Sequence, residues 1–467
     1  MEKKDIVPIH TEDIALFSIQ PTNVAVDRIS WVKKGPTYLN DEGNNAVHFN
    51  IPGEGTQFTD LYNTYLCVKL KIVDEHGNVF KQGDTQDESF AIPVDNVLHS
   101  LWDHVDVKLN NSMVSFSTNN YMYKALFENL LFYDKNARLY QTSSFGFFGE
   151  SGNFANPNPQ EPPYNRGLHD RYELWKGLRG VQDPRTDDPS KVKDPSMVEF
   201  TGPLLADICN QRKYILNLVD IDILLQPKSD EFRLITSPKG TKANIKIQEI
   251  YLDVCKVDVA PEARLGIEHG LKEKNNFAQY PFQRTDIRTY NIPQGSFGET
   301  IEDLYQGHVP SKIIVGLVDS SAFSGNYNKN PYHFQHFDIS RIAFYVDNVS
   351  TPEQPLIVNI KESDYLKGFL SMYKVAGKLN ENTDIGIDRD SYRQGYTLFG
   401  FNVDPTASYD MSYLGKTKTG ITKLDLNFRT ALPTNITVVV YAVFPEVMEV
   451  DFERVVRLQT KNNRIYA

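Results

Sequence analysis

The segment Val105-Asp-Val-Lys-Leu-Asn-Asn111 alternates apolar and polar residues and then ends in two asparagines, as a half-buried strand does where it enters a turn. A similar segment, Ile342-Ala-Phe-Tyr-Val-Asp-Asn348, begins 237 positions later (342 minus 105). Each is followed by a stretch with helical periodicity, at 121–133 and 362–375, and then by a long polar segment. The order of strand, turn, helix and long loop therefore occurs twice, although residue identity between the halves is weak, and this predicts an internal duplication.

Runs with a period of two residues account for much of the remaining chain, and they predict an all-β protein. Each half closes with a pair of strong strands, at 197–200 and 214–225 in the first and at 424–428 and 435–444 in the second. The other predicted strands lie at 46–51, 65–73, 243–254, 285–290, 312–318, 356–360 and 396–403. Short alternating runs separated by turn residues are typical of antiparallel sandwiches and barrels.

The composition favours a globular protein that has extensive contact surfaces. Of the 467 residues 12% are aromatic, including 25 Tyr and 27 Phe, and these bury large areas at a low cost in side-chain entropy. The net charge of −11 argues against broad binding of nucleic acid, because an acidic protein does not neutralise phosphates. The three cysteines, Cys67, Cys209 and Cys255, lack metal-type spacing and favour a reducing compartment. We found neither a signal peptide nor a transmembrane segment.

No phosphate loop, nucleophile elbow or zinc-protease motif occurs in the sequence. The pair His333 and His336 follows Pro331 in a predicted loop, so a metal site is disfavoured. His99 and His104 flank Trp102 at a spacing that suits neither one helix face nor one strand face, and we interpret them as hydrogen-bonded edges of a buried tryptophan.

Acidic pairs were considered as glycosidase carboxylates, but most lie in Gly- and Asn-rich loops and are interpreted as solvated surface. These pairs are Asp230 with Glu231, Asp384 with Asp388, and Asp388 with Asp390. The last two also departed from the spacing of a calcium loop. We therefore predict no catalytic, cofactor-binding or metal-binding residues, no cofactor, and a protein that is not an enzyme.

Three stretches carry a resemblance to a known family. They are Val24-Ala-Val-Asp-Arg-Ile-Ser-Trp31 with its continuation to Tyr38, Ile51-Pro-Gly-Glu-Gly55 with its continuation to Leu66, and Asp95-Asn-Val-Leu-His-Ser-Leu-Trp102, which leads into the first repeat. With the helix that begins at Tyr121, they resemble the hexon-like major capsid protein of the Polinton/Maverick and adintovirus group. The resemblance spans roughly residues 20 to 455 and is strongest in the first half.

The resemblance implies two tandem eight-stranded antiparallel jelly rolls, a double jelly roll with short helices and long loop insertions. We expect an N-terminal arm at 1–20, a first jelly roll at 21–260 with a long insertion at about 140–195, a linker at 261–277, a second jelly roll at 278–455 and a C-terminal tail at 456–467. The aromatic residues of the insertion suggest a packed tower or a subunit contact. Trp31, Trp102, Tyr121 and Phe127 are hypothesised to be core or helix-packing residues.

The implied function is that of a major capsid protein, three copies of which form a pseudo-hexagonal capsomer in an icosahedral virion shell. Its expected partners are two further copies in a homotrimer, neighbouring capsomers and a minor penton protein that has a single jelly roll. The expected location is the virion capsid, assembled in the cytoplasm or nucleus of the host cell. The alternative is a carbohydrate-binding or carbohydrate-cleaving β-sandwich protein; a cupin-type metal enzyme is disfavoured because no His-x-His strand pair is present.

Overall fold

The chain builds two β barrels, one after the other. The computed structural model describes residues 23–38, 46–80, 82, 89–115, 120–177, 197–237, 242–273, 276–351, 354–404 and 418–459. The predicted N-terminal arm therefore lies outside the described residues, as does most of the predicted C-terminal tail.

The first barrel consists of two four-stranded antiparallel sheets. Its eight strands are β1 (Val26–Lys34), β2 (Val47–Ile51), β3 (Gln57–Asp74), β5 (Trp102–Leu109), β6 (Ser112–Met113), β7 (Val198–Pro203), β8 (Ile221–Pro227) and β10 (Ala243–Val259). The orders within the two sheets are β1-β10-β3-β7 and β2-β8-β5-β6. Two short strands, β4 (Ala91–Pro93) and β9 (Leu234–Thr236), form a separate pair beside the barrel.

The second barrel repeats this arrangement. Its eight strands are β11 (Ala278–Ile292), β12 (Gly298–Val309), β13 (Lys312–Asp319), β14 (Ile339–Val346), β15 (Val349–Ser350), β17 (Leu398–Asn402), β18 (Lys418–Phe428) and β19 (Ile436–Val450). The sheet orders are β11-β19-β13-β17 and β12-β18-β14-β15. Two more short strands extend these sheets, β16 (Leu356–Ile357) on β14 and β20 (Val456–Leu458) on β19.

If the eight strands of each barrel are counted along the chain, both barrels have the sheet orders 1-8-3-6 and 2-7-4-5. This is the jelly-roll order, in which two antiparallel sheets face each other and enclose an apolar core. The predicted double jelly roll is thereby confirmed. The core is continuous in β19, where 13 of the 15 residues from Ile436 to Val450 are buried and only Pro445 and Val447 are partly exposed.

Helices occupy the connections. They are α1 (Val97–Ser100), α2 (Tyr121–Leu131), α3 (Lys135–Tyr140), α4 (Arg166–Gly177), α5 (Asp230–Arg233), α6 (Pro261–Lys272), α7 (Ser320–Ser324), α8 (Leu366–Ala376) and α9 (Arg389–Gln394). None of the helices in the described ranges has the length and apolarity needed to cross a membrane.

The duplication holds at the level of single residues. Strands β5 and β14 have eight residues each, and both their first and their last residues are 237 positions apart. In both copies the next two residues, Asn110 and Asn111 or Asp347 and Asn348, have positive φ angles of 46° to 67° and close a two-residue hairpin. Asn and Asp tolerate this conformation better than other non-glycine residues, which explains their choice at the turn.

Several predicted elements need correction. The run at 214–225 is not one strand, because Leu218 has a φ of 59° and the strand begins only at Ile221. The second helix starts at Leu366 and not at residue 362, since Ser363 also has a positive φ, although Gly377 ends it as predicted. Trp31 is not a core residue: it lies on the edge strand β1 and its exposed fraction is 56%.

Candidate functional site: the contact between the two barrels

Helix α2 lies where the two barrels meet, and all 11 of its residues are buried. Apolar residues recur around the helix, so it can pack on its own barrel and on the other barrel at once. Trp102, Tyr121 and Phe127 are buried, as predicted. Asn120 occupies the N-terminal cap position, but its side chain makes no capping hydrogen bond.

Aromatic rings from α2 pack against residues of the second half of the chain. The Phe127 ring centroid lies 5.3 Å from that of Phe334 and 5.6 Å from that of Tyr441 on β19. The Tyr123 ring stacks on Phe323 at 5.4 Å, and its hydroxyl donates a hydrogen bond of 2.9 Å to the carbonyl oxygen of Pro331. Aromatic rings at these distances prefer particular relative orientations, in addition to the stability gained from burying apolar area. These ring pairs therefore favour one placement of the two barrels relative to each other.

The polar side of α2 carries a buried ionic cluster. Lys124 Nζ lies 2.7 Å from Glu128 Oε1 and 3.2 Å from Asp207 Oδ1. Burial alone would lower the pKa of Lys124, but the two carboxylates outweigh burial and the pKa is raised. Asp207 also accepts a hydrogen bond of 3.0 Å from the backbone N–H of Thr285 on β11, so the cluster joins the first barrel to the second.

A second buried cluster is centred on Arg171 of α4, whose side chain is fully buried. Its Nη2 lies 2.7 Å from Glu150 Oε1, its Nη1 lies 3.2 Å from Asp95 Oδ1, and its Nε donates to the carbonyl oxygen of Pro93 at 2.9 Å. Burial raises the pKa of Asp95 to about 6, although the Arg171 guanidinium opposes that shift.

The Arg171 cluster also reaches the second barrel. The backbone N–H of Glu150 donates a hydrogen bond of 2.8 Å to the Tyr396 hydroxyl, and the Asn330 side-chain amide donates to Glu150 Oε1 at 3.3 Å. A buried charge is tolerated only where it is paired and hydrogen-bonded, and here the partners come from both halves of the chain. The start of the predicted insertion at 140–195 therefore fastens the barrels together. Its residues from 178 onward lie outside the described part.

Most of the aromatic residues in this insertion are buried within the chain. Phe145, Phe147, Tyr172 and Trp175 are buried, whereas Phe148 and Tyr164 are partly exposed. Phe154, which we did not single out from the sequence, packs edge-on against Tyr396 with ring centroids 5.0 Å apart. Gly395 is required beside it, because a Cβ atom there would lie 2.1 Å from Phe154 Cδ1.

The histidines considered as ligands have structural partners. His333 contacts the carbonyl oxygen of Gln394 through Nε2 at 2.8 Å and stacks on Phe154, and burial lowers its pKa. His336 Nδ1 accepts a hydrogen bond from the backbone N–H of Asp338. His99 contacts the Tyr121 hydroxyl at 3.0 Å. Within the part of the chain that the structure describes, no group of three or more His, Cys, Asp or Glu side chains could hold a metal ion.

The acidic pairs also serve the fold. Asp388 accepts a hydrogen bond from the backbone N–H of Ser391 and so caps α9, and Asp390 pairs with Arg393. Asp384 accepts hydrogen bonds from Gly386 N–H and from the Tyr373 hydroxyl. Asp230 is not solvated surface as interpreted from the sequence: it is buried and pairs with the buried Arg233 at 2.6 Å.

The last described strands return the chain to the first barrel. Arg454, which follows β19, is buried and donates to the backbone carbonyl oxygen of Asn217 at 2.9 Å and to its side-chain oxygen at 2.8 Å. It also pairs with Glu268 of α6. Asn110, at the hairpin of the first barrel, donates to the carbonyl oxygen of Arg454. Contacts from α2, α4 and this C-terminal segment therefore hold the two barrels in one arrangement.

Comparisons with known proteins are consistent with this architecture. No family model matches the chain. It is 22% identical over 415 residues to an uncharacterized protein of Caenorhabditis elegans, a match that covers 87% of this chain and 91% of that protein.

Solved structures with the same fold come from virus particles. The chain matches the cryo-EM structure of the Sputnik virophage with a TM-score of 0.58 and 9% identity, over 99% of this chain and 94% of the other. It matches the mavirus major capsid protein with a TM-score of 0.54 and 11% identity, over 98% of this chain and 96% of that chain. It matches the PBCV-1 virus capsid with a TM-score of 0.54 and 9% identity, over 96% of this chain and 100% of that chain. At these identities the likeness concerns the fold, and two of the matched structures are named as a virus capsid and a major capsid protein.

Proposed function

We propose that this chain is a major capsid protein, and that three copies form a pseudo-hexagonal capsomer which tiles an icosahedral virion shell. The observation that carries the proposal is the pair of barrels with identical strand order, held in one arrangement by buried contacts. Three chains with two like barrels each present six similar lobes, an outline that packs on a flat lattice. The likeness to capsid structures from Sputnik, mavirus and PBCV-1 supports the same function.

The finer assignments belong to the same proposal. The chain is assigned to the Polinton/Maverick-like group on the segments quoted above, and its partners are neighbouring capsomers and a single jelly-roll penton protein. Its location is the capsid of a virion assembled inside the host cell. We also propose the domain limits given from the sequence; helix α6 occupies most of the linker proposed at 261–277, between the last strand of the first barrel and the first strand of the second.

The proposal is tested by the mass and shape of the purified protein in solution. We expect light scattering to give three times the chain mass of 53.3 kDa, and negative-stain images to show particles with a hexagonal outline. A monomer at all concentrations would contradict the proposal. A monomer that also binds glycans would favour the carbohydrate-binding alternative.

A further inference from the structure

We infer that helix α8 of one copy packs against the outer face of the β1-β10-β3-β7 sheet in the next copy, and so repeats between chains the contact that α2 makes inside the chain. The inference rests on the proposed trimer and names the surfaces that would form it. Its basis is a difference in burial between two pairs of corresponding elements.

The first pair consists of the two helices, one in each barrel, that follow the fifth strand. Helices α2 and α8 have 11 residues each and begin 245 positions apart (366 minus 121). All of α2 is buried, because it lies between its own barrel and the β11-β19-β13-β17 sheet. In α8 only five residues are buried: Gly368, Ser371, Met372, Val375 and Ala376. The opposite side exposes Leu366 by 44% and Leu370 by 39%, so this helix has an apolar side that the described residues of its own chain leave uncovered.

The second pair is the first strand of each barrel. On β11, Thr285 and Ile287 lie on the face that meets α2 and are at most 5% exposed. On β1, Ile29 and Trp31 share one face and are 46% and 56% exposed, and Tyr62 of β3 is 40% exposed. We call Ile29, Trp31 and Tyr62 the β1 patch. The Trp31 indole donates to the carbonyl oxygen of Asn63, so the ring is held in place at the surface. Contiguous exposed apolar residues of this kind mark contact surfaces.

The sheet carries carboxylates as well as the lysines Lys33 and Lys69, so it can offer partners to cations of α8. Lys367 and Lys374 are exposed on α8 next to its leucines. On the sheet, Glu199 and Asp253 lie close to Tyr251, which is covered by Lys33 at 3.8 Å from its ring centroid. Oppositely charged groups at the rim of an apolar contact favour one orientation of the partners.

The contact also has the geometry that a closed trimer requires. The helix and the sheet are different surfaces, so each copy gives one and receives one, which is a head-to-tail contact. Three such contacts between chains would alternate with the three α2 contacts inside chains. Six contacts of one kind around a ring would place six barrels in similar surroundings.

The experiment compares three single variants with the wild type by light scattering, with thermal melting as a check on folding. Trp31→Glu and Leu370→Glu place a charge in each surface, and we expect both to fall from three chain masses to one. Val349→Glu places the same charge on an apolar residue of β15 that is 66% exposed, and we expect it to stay trimeric.

A cross-linking experiment tests the same contact if either glutamate variant fails to fold. The three native cysteines are buried, so the double variant Trp31→Cys, Leu370→Cys offers two accessible thiols per chain. With a short bismaleimide we expect covalent trimers from the double variant and only monomers from each single variant. If the wild type is a trimer, the glutamate variants remain trimers and no cross-links form, then the inference is wrong but the proposed capsomer stands. The β1 patch would then be covered by another occupant, such as residues 1–22. A monomeric wild type would instead contradict the proposed function.

Discussion

Asn110 and Asp347 occupy the same position in the two barrels and make the same pair of contacts. The backbone N–H of Asn110 donates to the carbonyl oxygen of Asp220, whose own N–H donates to Asn110 Oδ1 at 2.8 Å. In the second barrel, the N–H of Asp347 donates to the carbonyl oxygen of Ile421, and Ile421 N–H donates to Asp347 Oδ1 at 2.9 Å. The side chain of the first turn residue thus ties the hairpin to the seventh strand in both halves.

This turn gives a first prediction. Asn111 has a φ of 67°, a conformation that β-branched residues tolerate poorly. We expect Asn111→Val to destabilise the protein by about 1–2 kcal/mol, while Asn111→Gly is neutral or slightly stabilising. Thermal melting of both variants checks the expectation. Equal melting temperatures for the valine and glycine variants would contradict the role given to backbone conformation here.

The Arg171 cluster gives a second prediction. Arg171→Met would leave Asp95 and Glu150 buried without their cation, and removal of one partner from a buried pair costs about 3–5 kcal/mol. We expect a large fall in melting temperature. The control is Arg393→Met, which breaks the more exposed pair with Asp390 and should change stability by less than about 1 kcal/mol. A similar, small effect of both variants would refute the role of the cluster in joining the barrels.

Gly395 gives a third prediction, about packing between the halves. In Gly395→Ala the new Cβ would meet the Phe154 ring, so we expect a loss of about 1–3 kcal/mol, as is usual for overpacked sites. Gly266 in α6 is the matched control, since a Cβ atom there meets nothing within 4 Å. We expect Gly266→Ala to stabilise the helix by up to about 1 kcal/mol. Chemical denaturation of the two variants should therefore give shifts of opposite sign.

Glu446 on β19 gives a fourth prediction, which concerns pH. Burial raises the pKa of this carboxyl from 4.5 to about 7, although Arg284 opposes the shift. The folded state therefore binds the proton more tightly than the unfolded state does. The contribution to stability is fully present below about pH 4.5 and is lost as the pH rises through about 7.

The variant Glu446→Gln isolates this effect because glutamine stays neutral at every pH. We expect its melting temperature to exceed that of the wild type at pH 8, and the difference to shrink towards pH 5. The exposed Glu453 provides the control, as Glu453→Gln should leave the pH dependence of melting unchanged. A constant difference between Glu446→Gln and wild type across this range would mean that Glu446 does not titrate between these values.

The duplication was visible in the sequence because strand, turn and helix are local patterns. The alternation of Val105–Leu109 and the asparagines that follow depend on neighbouring residues alone. The edge strands were harder to recognise. In β12 a break in register between Ile301 and Tyr305 interrupts the period of two, and much of the strand is exposed. Trp31 was assigned to the core because large aromatic residues are usually buried, but β1 has a neighbour on one side only.

The contact between the barrels could not be read from the sequence. Arg171 lies among charged and polar residues of α4, and nothing local distinguishes it from a solvated arginine. Its partners Asp95 and Glu150 are 76 and 21 positions away, and Tyr396 belongs to the other half of the chain. Only the folded arrangement brings these groups together, since each depends on the placement of a different loop.

The position of Arg454 has a consequence for synthesis on the ribosome. The loop that precedes β8 in the first barrel depends on this arginine for hydrogen bonds to Asn217, yet the arginine is translated 237 positions after it (454 minus 217). The amino-terminal module therefore acquires its full set of contacts only after the carboxy-terminal module has been made. A polypeptide terminated before residue 454 would lack these contacts in its amino-terminal barrel, which distinguishes it from the chain that has both barrels.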